Sequence, residues 1–347
     1  MSRHAFLGPT LLAALLTLQA PGAVSADRLS LLTGPESSIQ PQIGREIVAF
    51  VANPAGIELR AIPTDGPAES LRRLRDELGR GLALLPSDTA HAYLDAARRG
   101  NPAAGEFVAP LRVIAPLYQE EFYFIVRSDS KFGSVHDIRD ARINIGPVSS
   151  ATALSTSTLY RLLFDAPIPD QNATFLSHED ALVKLITDGS IDVVVIVAEQ
   201  PARLLANMKP EARQFIKLLK FDPTHPGSAA ALRVYDQSTI RAGSYPNLLT
   251  ADMPALANKL YLVAYIRRRG DDALLARFGR GWCENLPRLQ REGNPKWRDV
   301  EVALPELKPG WAYAKPAERE LARCKGTAPA PAPTSCSQQD RILGLCE

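Results

Sequence analysis

The most constraining feature of the sequence is the stretch IDVVVIV at residues 191–197, in which five consecutive apolar residues follow Asp192. A strand with one face in water alternates apolar and polar residues, so this run predicts a strand that is buried on both faces. Before it, the capping pattern SHED at 177–180 begins a helical period, and Asp188 and Gly189 are typical of a helix end. A helix followed by a doubly buried strand indicates an α/β fold with a parallel sheet.

The same alternation continues along the chain. GLALLPSD, RVIAPL and FYFIVR are strand-like runs, and ESLRRLRDELG and SVHD indicate helices. Near the C-terminus one long helical face is predicted to pack in the core: Leu274, Leu275, Phe278, Trp282, Leu286 and Leu289. Beyond about Trp311 the pattern ends, and GTAPAPAPTS is typical of a semi-rigid Pro/Ala linker.

The first 26 residues are predicted to be a secretory signal peptide. Arg3 and His4 precede the apolar run LLAALLTL, and AVSA supplies the small residues of a cleavage site after Ala26. No later window offers about 20 unbroken apolar residues, so we expect an exported, periplasmic protein. The formal charge of +2 is spread along the chain, which argues against nucleic acid as a partner.

Export changes the interpretation of the four cysteines, because an oxidising compartment favours disulfides. Cys283, Cys324, Cys336 and Cys346 allow three pairings of two bridges, and the sequence does not choose among them. We favour Cys283 with Cys324 and Cys336 with Cys346, since these bridges staple the tail to the body and close a short loop. The five histidines lack paired metal-ligand spacing and no Gly-x-Ser-x-Gly elbow is present, so neither an enzyme, a metal nor a cofactor is expected.

The stretch INIGPVSSAT, at 143–152, has two interpretations. A strand that ends at Gly146 and opens a helix at Ser149, Ser150 and Thr152 could cradle a carboxylate or phosphate on its free N–H groups. Alternatively, Ser149 or Ser150 is an ordinary N-cap that needs no ligand.

Similar junctions recur in LLTGPESS, LLPSDTA and VIVAEQPA, and together they predict a crevice for a small polar ligand. Asp88 could pair with a ligand amine, which would favour an amino acid. The candidate ligand-binding residues are Thr33, Gly34, Ser38, Ser87, Asp88, Ser149, Ser150, Thr152 and Gln200.

From residue 29 to 311 the chain resembles the TAXI solute-binding proteins of TRAP transporters. The similarity rests on LLTG, AIPTDGPAESLRRL, ALLPSDTAHAYLDA, DGSIDVVVIVAEQPARLL, GSYPNLLTADMPALANKLYLVAY and, above all, LRVIAPLYQEEFYFIVRSDSKFGSVHDIRDARINIGPVSSAT. It implies a type II periplasmic binding protein: a monomer with two α/β lobes, a strand hinge, and glutamate or another small carboxylate between the lobes. It also implies a TRAP-type membrane permease as partner.

The resemblance implies boundaries as well. Lobe one is expected to comprise 27–123 and 224–312, lobe two 124–223, and a tail 313–347, with crossings at EEFYFIVRS and AALRVYDQ. The loop TDGPAES and the helix start at Ser150 depart from the family pattern. These departures keep a second function open, a non-transporting sensor or adaptor of the same fold that acts on a membrane partner.

Overall fold

The computed structural model describes residues 29–78, 80–266 and 271–324. The signal-peptide prediction and the cysteines Cys336 and Cys346 therefore lie outside the described residues. The strands are β1 (Leu29–Leu32), β2 (Leu59–Ile62), β3 (Gly81–Pro86), β4 (Leu111–Arg127), β5 (Ile143–Asn144), β6 (Ala173–Thr174), β7 (Val193–Ala198), β8 (Ile216–Leu218), β9 (Asp236–Ile240) and β10 (Met253–Tyr265).

Helices connect most of these strands, as the alternating sequence pattern predicts. They are α1 (Gln40–Ile47), α2 (Pro67–Arg72), α3 (Asp88–Arg98), α4 (Ala103–Val108), α5 (Ala151–Phe164), α6 (His178–Thr187), α7 (Arg203–Ala206), α8 (Ser228–Val234), α9 (Asp272–Glu292) and α10 (Lys315–Leu321). None of the helices in the described ranges is long and apolar enough to cross a membrane.

The predicted α/β class with two lobes is confirmed by the sheet topology. Lobe one is built on the order β2-β1-β3-β10-β4, in which β1, β2 and β3 are parallel. Lobe two continues the order as β4-β7-β5-β6, in which β5, β6 and β7 are parallel. Strands β4 and β10 run antiparallel to their neighbours and belong to both lobes, so they form the hinge.

Strand β4 joins two runs that the sequence shows as separate, RVIAPL and FYFIVR. It pairs with β10 from Leu111 to Glu121 and with β7 from Glu121 to Ile125. Pro116 cannot donate to a sheet ladder, and the register with β10 shifts beside it, which is how a β-bulge accommodates a proline inside a strand.

Each lobe has its own apolar core. In lobe one, α9 buries Leu275, Phe278, Trp282, Leu286 and Leu289, and Leu274 packs partly buried against them, which confirms the predicted face. In lobe two, the run predicted to be doubly buried forms β7, with Val193, Val194 and Val195 all fully buried.

One prediction about the C-terminal region was wrong. The helical pattern does not end near Trp311, because α10 follows and packs against α9 with Ala317 fully buried. This helix has only seven residues, which is too short for a periodic pattern to be read from the sequence.

The stretch AALRVYDQ forms the end of α8 and the beginning of β9. Val234 and Tyr235 pack in the lobe-two core with Phe122 and Leu256. These contacts favour a return to lobe one within β10, after residue 256. The boundaries 27–123, 124–223 and 224–312 stay predictions.

Candidate functional site

The candidate site lies between the lobes, where the carboxyl ends of the parallel strands face each other. Thr33 follows β1, Ser87 follows β3 and Gln200 lies two residues after β7. The backbones of the two lobes touch here, because a Cβ added to Gly66 would lie 2.2 Å from the carbonyl oxygen of Ser149. The folding of the strands therefore brings Thr33, Ser87 and Ser149 to one region, as expected for an α/β sheet, whereas Gln200 lines a different cavity together with Ser238 and Lys259.

Ser87 and Asp88 are held by a buried polar network that joins the lobes. Ser87 Oγ donates to Asn258 Oδ1 at 2.6 Å, and Asn258 Nδ2 donates to Ser155 Oγ of α5 at 3.1 Å. The Tyr235 hydroxyl donates to Asp88 Oδ2 at 2.8 Å and lies 3.1 Å from the carbonyl oxygen of Ser155. Asp88 thus stands in lobe one with its partner Tyr235 in lobe two.

The Asp88 carboxyl group is incompletely satisfied. It is fully buried, and burial raises its pKa, while the polar groups of Asn258, Ser155 and Tyr235 oppose the rise. Its second oxygen, Oδ1, has no hydrogen-bond partner of good geometry within the described residues. A buried carboxylate oxygen without a donor is costly, so this atom marks a place for a ligand group that donates.

A second buried carboxyl group, Glu120 of β4, was not predicted. Its Oε1 accepts a 3.0 Å hydrogen bond from Gln40 Nε2. Burial, with smaller effects from the charges of Glu199, Glu121 and Asp88, raises the pKa of Glu120 to about 8. The sequence does contain a signal: two consecutive glutamates interrupt the apolar run YQEEFYF, and charged residues are rarely fully buried unless they are paired.

In the loop LLTGPESS, the two hydroxyl groups predicted to bind a ligand donate to backbone carbonyl oxygens of the same loop. Thr33 Oγ1 donates to the carbonyl oxygen of Gly34 at 3.3 Å, and Ser38 Oγ donates to that of Pro35 at 2.8 Å. Gly34 packs against Gln40, because an added Cβ would lie 2.6 Å from Gln40 Oε1. These residues shape the loop that carries Gln40 to Glu120.

At INIGPVSSAT the capping interpretation is the one observed. Ser150 is the N-cap of α5 and accepts a 3.1 Å hydrogen bond from Ala153 N. The Thr152 hydroxyl is buried and accepts from Val197 N at 3.3 Å. Gly146 has φ +77°, a conformation that glycine adopts readily, and this turn brings Ser149 towards Gly66. The anion cradle stays a prediction.

Gln200 is predicted to line the crevice, but both ends of its side-chain amide are used by β9 and the residue after it. Nε2 donates to the carbonyl oxygen of Thr239 at 3.2 Å, and Oε1 accepts from Arg241 N at 2.7 Å. Its carbonyl oxygen accepts from Lys296 Nζ at 3.2 Å. Gln200 therefore fastens the end of β7 to β9.

Within the described ranges, no group of three or more His, Cys, Asp or Glu side chains is placed to hold a metal ion. Cys283 and Cys324 form a disulfide with a Cα–Cα distance of 5.6 Å, which is the pairing that the sequence analysis favours.

Solved structures similar to this chain include several binding proteins of low identity. The arginine-, lysine- and histidine-binding protein ArtJ from Geobacillus stearothermophilus is 11% identical, with a TM-score of 0.45 over 82% of this chain and 99% of that one. A TctC solute-binding protein from Polaromonas is 13% identical, with a TM-score of 0.42 over 85% and 96%. A Candida albicans protein described as having the generic periplasmic binding protein fold is 10% identical, with a TM-score of 0.44 over 86% and 82%.

No curated protein sequence matches the chain. The model of the NMT1-like family matches residues 31–290. This segment begins inside β1 and includes β2 to β10 and most of α9, well over half of the sequence. The chain therefore belongs to the NMT1-like family.

Proposed function

We propose that the chain is the periplasmic solute-binding subunit of a TRAP-type secondary transporter. It captures a small carboxylate that also carries an ammonium group, such as a glutamate-like amino acid, and delivers it to a membrane permease. The resemblance to the TAXI proteins and membership of the NMT1-like family support this proposal. The observation that carries it is the incompletely satisfied carboxyl group of Asp88 between the lobes.

The charges around the crevice favour an amino acid over a dicarboxylate. Asp88, Glu120 and Glu199 are all acidic, and burial raises the pKa of each. A ligand ammonium group would donate to Asp88 Oδ1 and supply the positive charge that the buried carboxylate lacks. At neutral pH a protonated Glu120 can donate to the ligand carboxylate, whereas a ligand with two carboxylates and no ammonium would add only negative charge.

A second candidate is a sensor or adaptor that does not transport. It is favoured by Ser150 and Gln200, two predicted ligand contacts. Their side chains form hydrogen bonds with backbone groups of the chain itself instead. Genomic context separates the two candidates, since a neighbouring TRAP permease gene supports transport and a neighbouring histidine kinase gene supports sensing.

The test is a thermal-shift screen of the exported chain, after unfolding and refolding to remove carried ligand, followed by calorimetry. Glutamate and 2-oxoglutarate form a matched pair that differs in the ammonium group. A ligand at about 100 times its Kd adds about 2.7 kcal/mol to the folded state. We expect a shift with glutamate or a related amino acid and a much smaller one with the keto acid.

Asp88→Asn should abolish the shift with the amino acid, while Asp165→Asn, on an exposed aspartate, should preserve it. Asp165 has φ +52°, a conformation that asparagine tolerates, so this control is expected to fold. A panel of amino acids and dicarboxylates without any shift would contradict solute binding and support the sensor.

A further inference from the structure

A cavity of about 320 Å³ lies behind the hinge, on the side away from the crevice. Consecutive residues of a strand point to opposite faces, so Glu120 and Glu121 of β4 face different sides of the hinge. Glu120 contacts Gln40 beside the crevice, whereas Glu121 lines this rear cavity. The volume is at the lower end of the range for small-molecule sites. We call it the hinge-back site and define it by Glu121, Ser238, Arg241, Lys259, Lys296 and Asp299.

One of the two oxygens of the Glu121 carboxyl group has no hydrogen-bond donor among the described residues. Glu121 is only 5% exposed, and its Oε1 accepts a 3.2 Å hydrogen bond from Ser238 Oγ. Its Oε2 is buried and has no hydrogen-bond partner in the described part of the chain. A buried carboxylate oxygen normally accepts at least one hydrogen bond, so Glu121, which lines the cavity, has an unfilled acceptor.

Two cations in the same cavity form no ion pair within the described residues, although carboxyl groups lie near both. Lys259 is half-buried, and neither it nor the exposed Arg241 forms an ion pair among the described residues. Burial lowers the pKa of Lys259 although Asp236, Glu301, Asp299 and Glu121 lie near enough to oppose the shift. The third cation, Lys296, is already paired with Asp299 at 2.8 Å. The cavity therefore has three cations and two carboxyl groups, and two of the cations are outside any ion pair.

We propose that the hinge-back site binds a small oxyanion that keeps an O–H donor, of which hydrogen phosphate and a hydroxy acid such as glycolate are the simplest examples. The anionic oxygens pair with Lys259 and Arg241, and the O–H group donates to the Glu121 carboxylate. An anion without a donor meets only the first of these two requirements, because its lone pairs would face those of the Glu121 carboxylate.

The position of the site gives its occupant a regulatory effect. Lys259 lies on the hinge strand β10 and Lys296 follows α9 of lobe one, whereas Ser238 and Arg241 belong to or follow β9, beside lobe two. The affinity for a ligand that contacts both sides depends on the angle between the lobes. By reciprocity, an oxyanion bound there changes crevice affinity by the same factor by which the crevice ligand changes oxyanion affinity.

The experiment is calorimetry of the full chain at neutral pH with two matched pairs of anions, hydrogen phosphate against sulfate and glycolate against acetate. In each pair only the first anion carries an O–H donor. We expect the donor-bearing member to bind at least about tenfold more tightly, which corresponds to one hydrogen bond to a charged group.

Glu121→Gln is nearly isosteric and replaces the acceptor with an amide that can donate, so it should remove or reverse the preference for phosphate over sulfate. Lys259→Met should weaken the binding of both phosphate and sulfate about tenfold or more. Lys209→Met removes one exposed positive charge elsewhere and should change neither.

Three outcomes would overturn the proposal. They are no binding of either donor-bearing anion, equal affinity for the two members of each pair, and equal losses in Lys259→Met and Lys209→Met. Far-UV circular dichroism of each variant checks that it is folded. This experiment does not test the proposed function of the crevice, since an amino acid in the crevice and an oxyanion behind the hinge are titrated separately.

Discussion

Tyr235 donates a 2.8 Å hydrogen bond to Asp88 across the interface between the lobes. Tyr235 is anchored in the lobe-two core, where its ring meets Phe122 edge-on at 5.0 Å. Asp88 begins α3 of lobe one, immediately after β3. The carboxyl group proposed to bind the ligand is thus in contact with both lobes, and a change at Asp88 can be transmitted to their relative position.

Tyr235→Phe is expected to destabilise the protein by about 1–3 kcal/mol, because it removes a donor from a buried carboxyl group without changing the packing of the ring. Urea unfolding measures the loss. In a double-mutant cycle with Asp88→Ala, which leaves no acceptor for Tyr235, the two effects should not be additive, since each change removes the same hydrogen bond. Additive losses would show that the two residues do not interact in solution. Tyr313→Phe is the control, because that exposed hydroxyl donates only to the carbonyl oxygen of Pro305.

The sequence predicts the parts of this arrangement that are encoded locally. The doubly buried β7, the helix after SHED and the apolar face of α9 are all read from short-range patterns, and all three are confirmed. The sequence also indicates Asp88 as a site residue, because it follows a strand.

The partners of Asp88 were not predicted, because long-range pairing brings them to it. Glu120 faces Asn258 only through the antiparallel register of β4 and β10, over a separation of more than 100 residues along the chain. Tyr235 reaches Asp88 only once the two lobes are docked. No periodicity or capping pattern in a single sequence reports such contacts.

Glu120 should make stability depend on pH. Its pKa is raised from 4.5 to about 8, so the folded state keeps a proton that the unfolded state releases as the pH rises above 4.5. The stabilisation is fully present below pH 4.5 and is lost as the pH rises to about 8, with a slope of up to about 1.4 kcal/mol per pH unit.

Urea unfolding between pH 5 and pH 8 should therefore show a shallower decline in Glu120→Gln than in the wild type. Glu106→Gln, at an exposed position, is the matched control. Identical slopes in Glu120→Gln and the wild type would mean that Glu120 does not hold this proton.

Gly66 should be necessary for the lobes to approach each other. A Cβ there would lie 2.2 Å from the carbonyl oxygen of Ser149, and its φ of +149° is in a region that other residues rarely adopt. Gly66→Ala is expected to hold the lobes apart, which small-angle X-ray scattering would detect as a larger radius of gyration, and to weaken crevice binding.

Gly100→Ala is the matched control for this change. Gly100 also has a positive φ, +109°, but no other group lies within 4 Å of its added Cβ. It therefore shares the backbone strain without the contact between lobes. Equal effects of the two alanines on the radius of gyration would contradict a steric role for Gly66.

The disulfide between Cys283 and Cys324 ties α9 to the segment that follows α10. It closes a loop with a sequence separation of 41 residues, for which the chain-entropy model gives a stabilisation of about 4 kcal/mol. Cys283→Ser with Cys324→Ser is expected to lower the free energy of unfolding by about 2–4 kcal/mol, measured by urea unfolding. Reducing agent should destabilise the wild type by a similar amount and leave the double variant almost unchanged. Mass analysis of alkylated, unreduced protein checks the bridge directly, and free thiols at both positions would refute it.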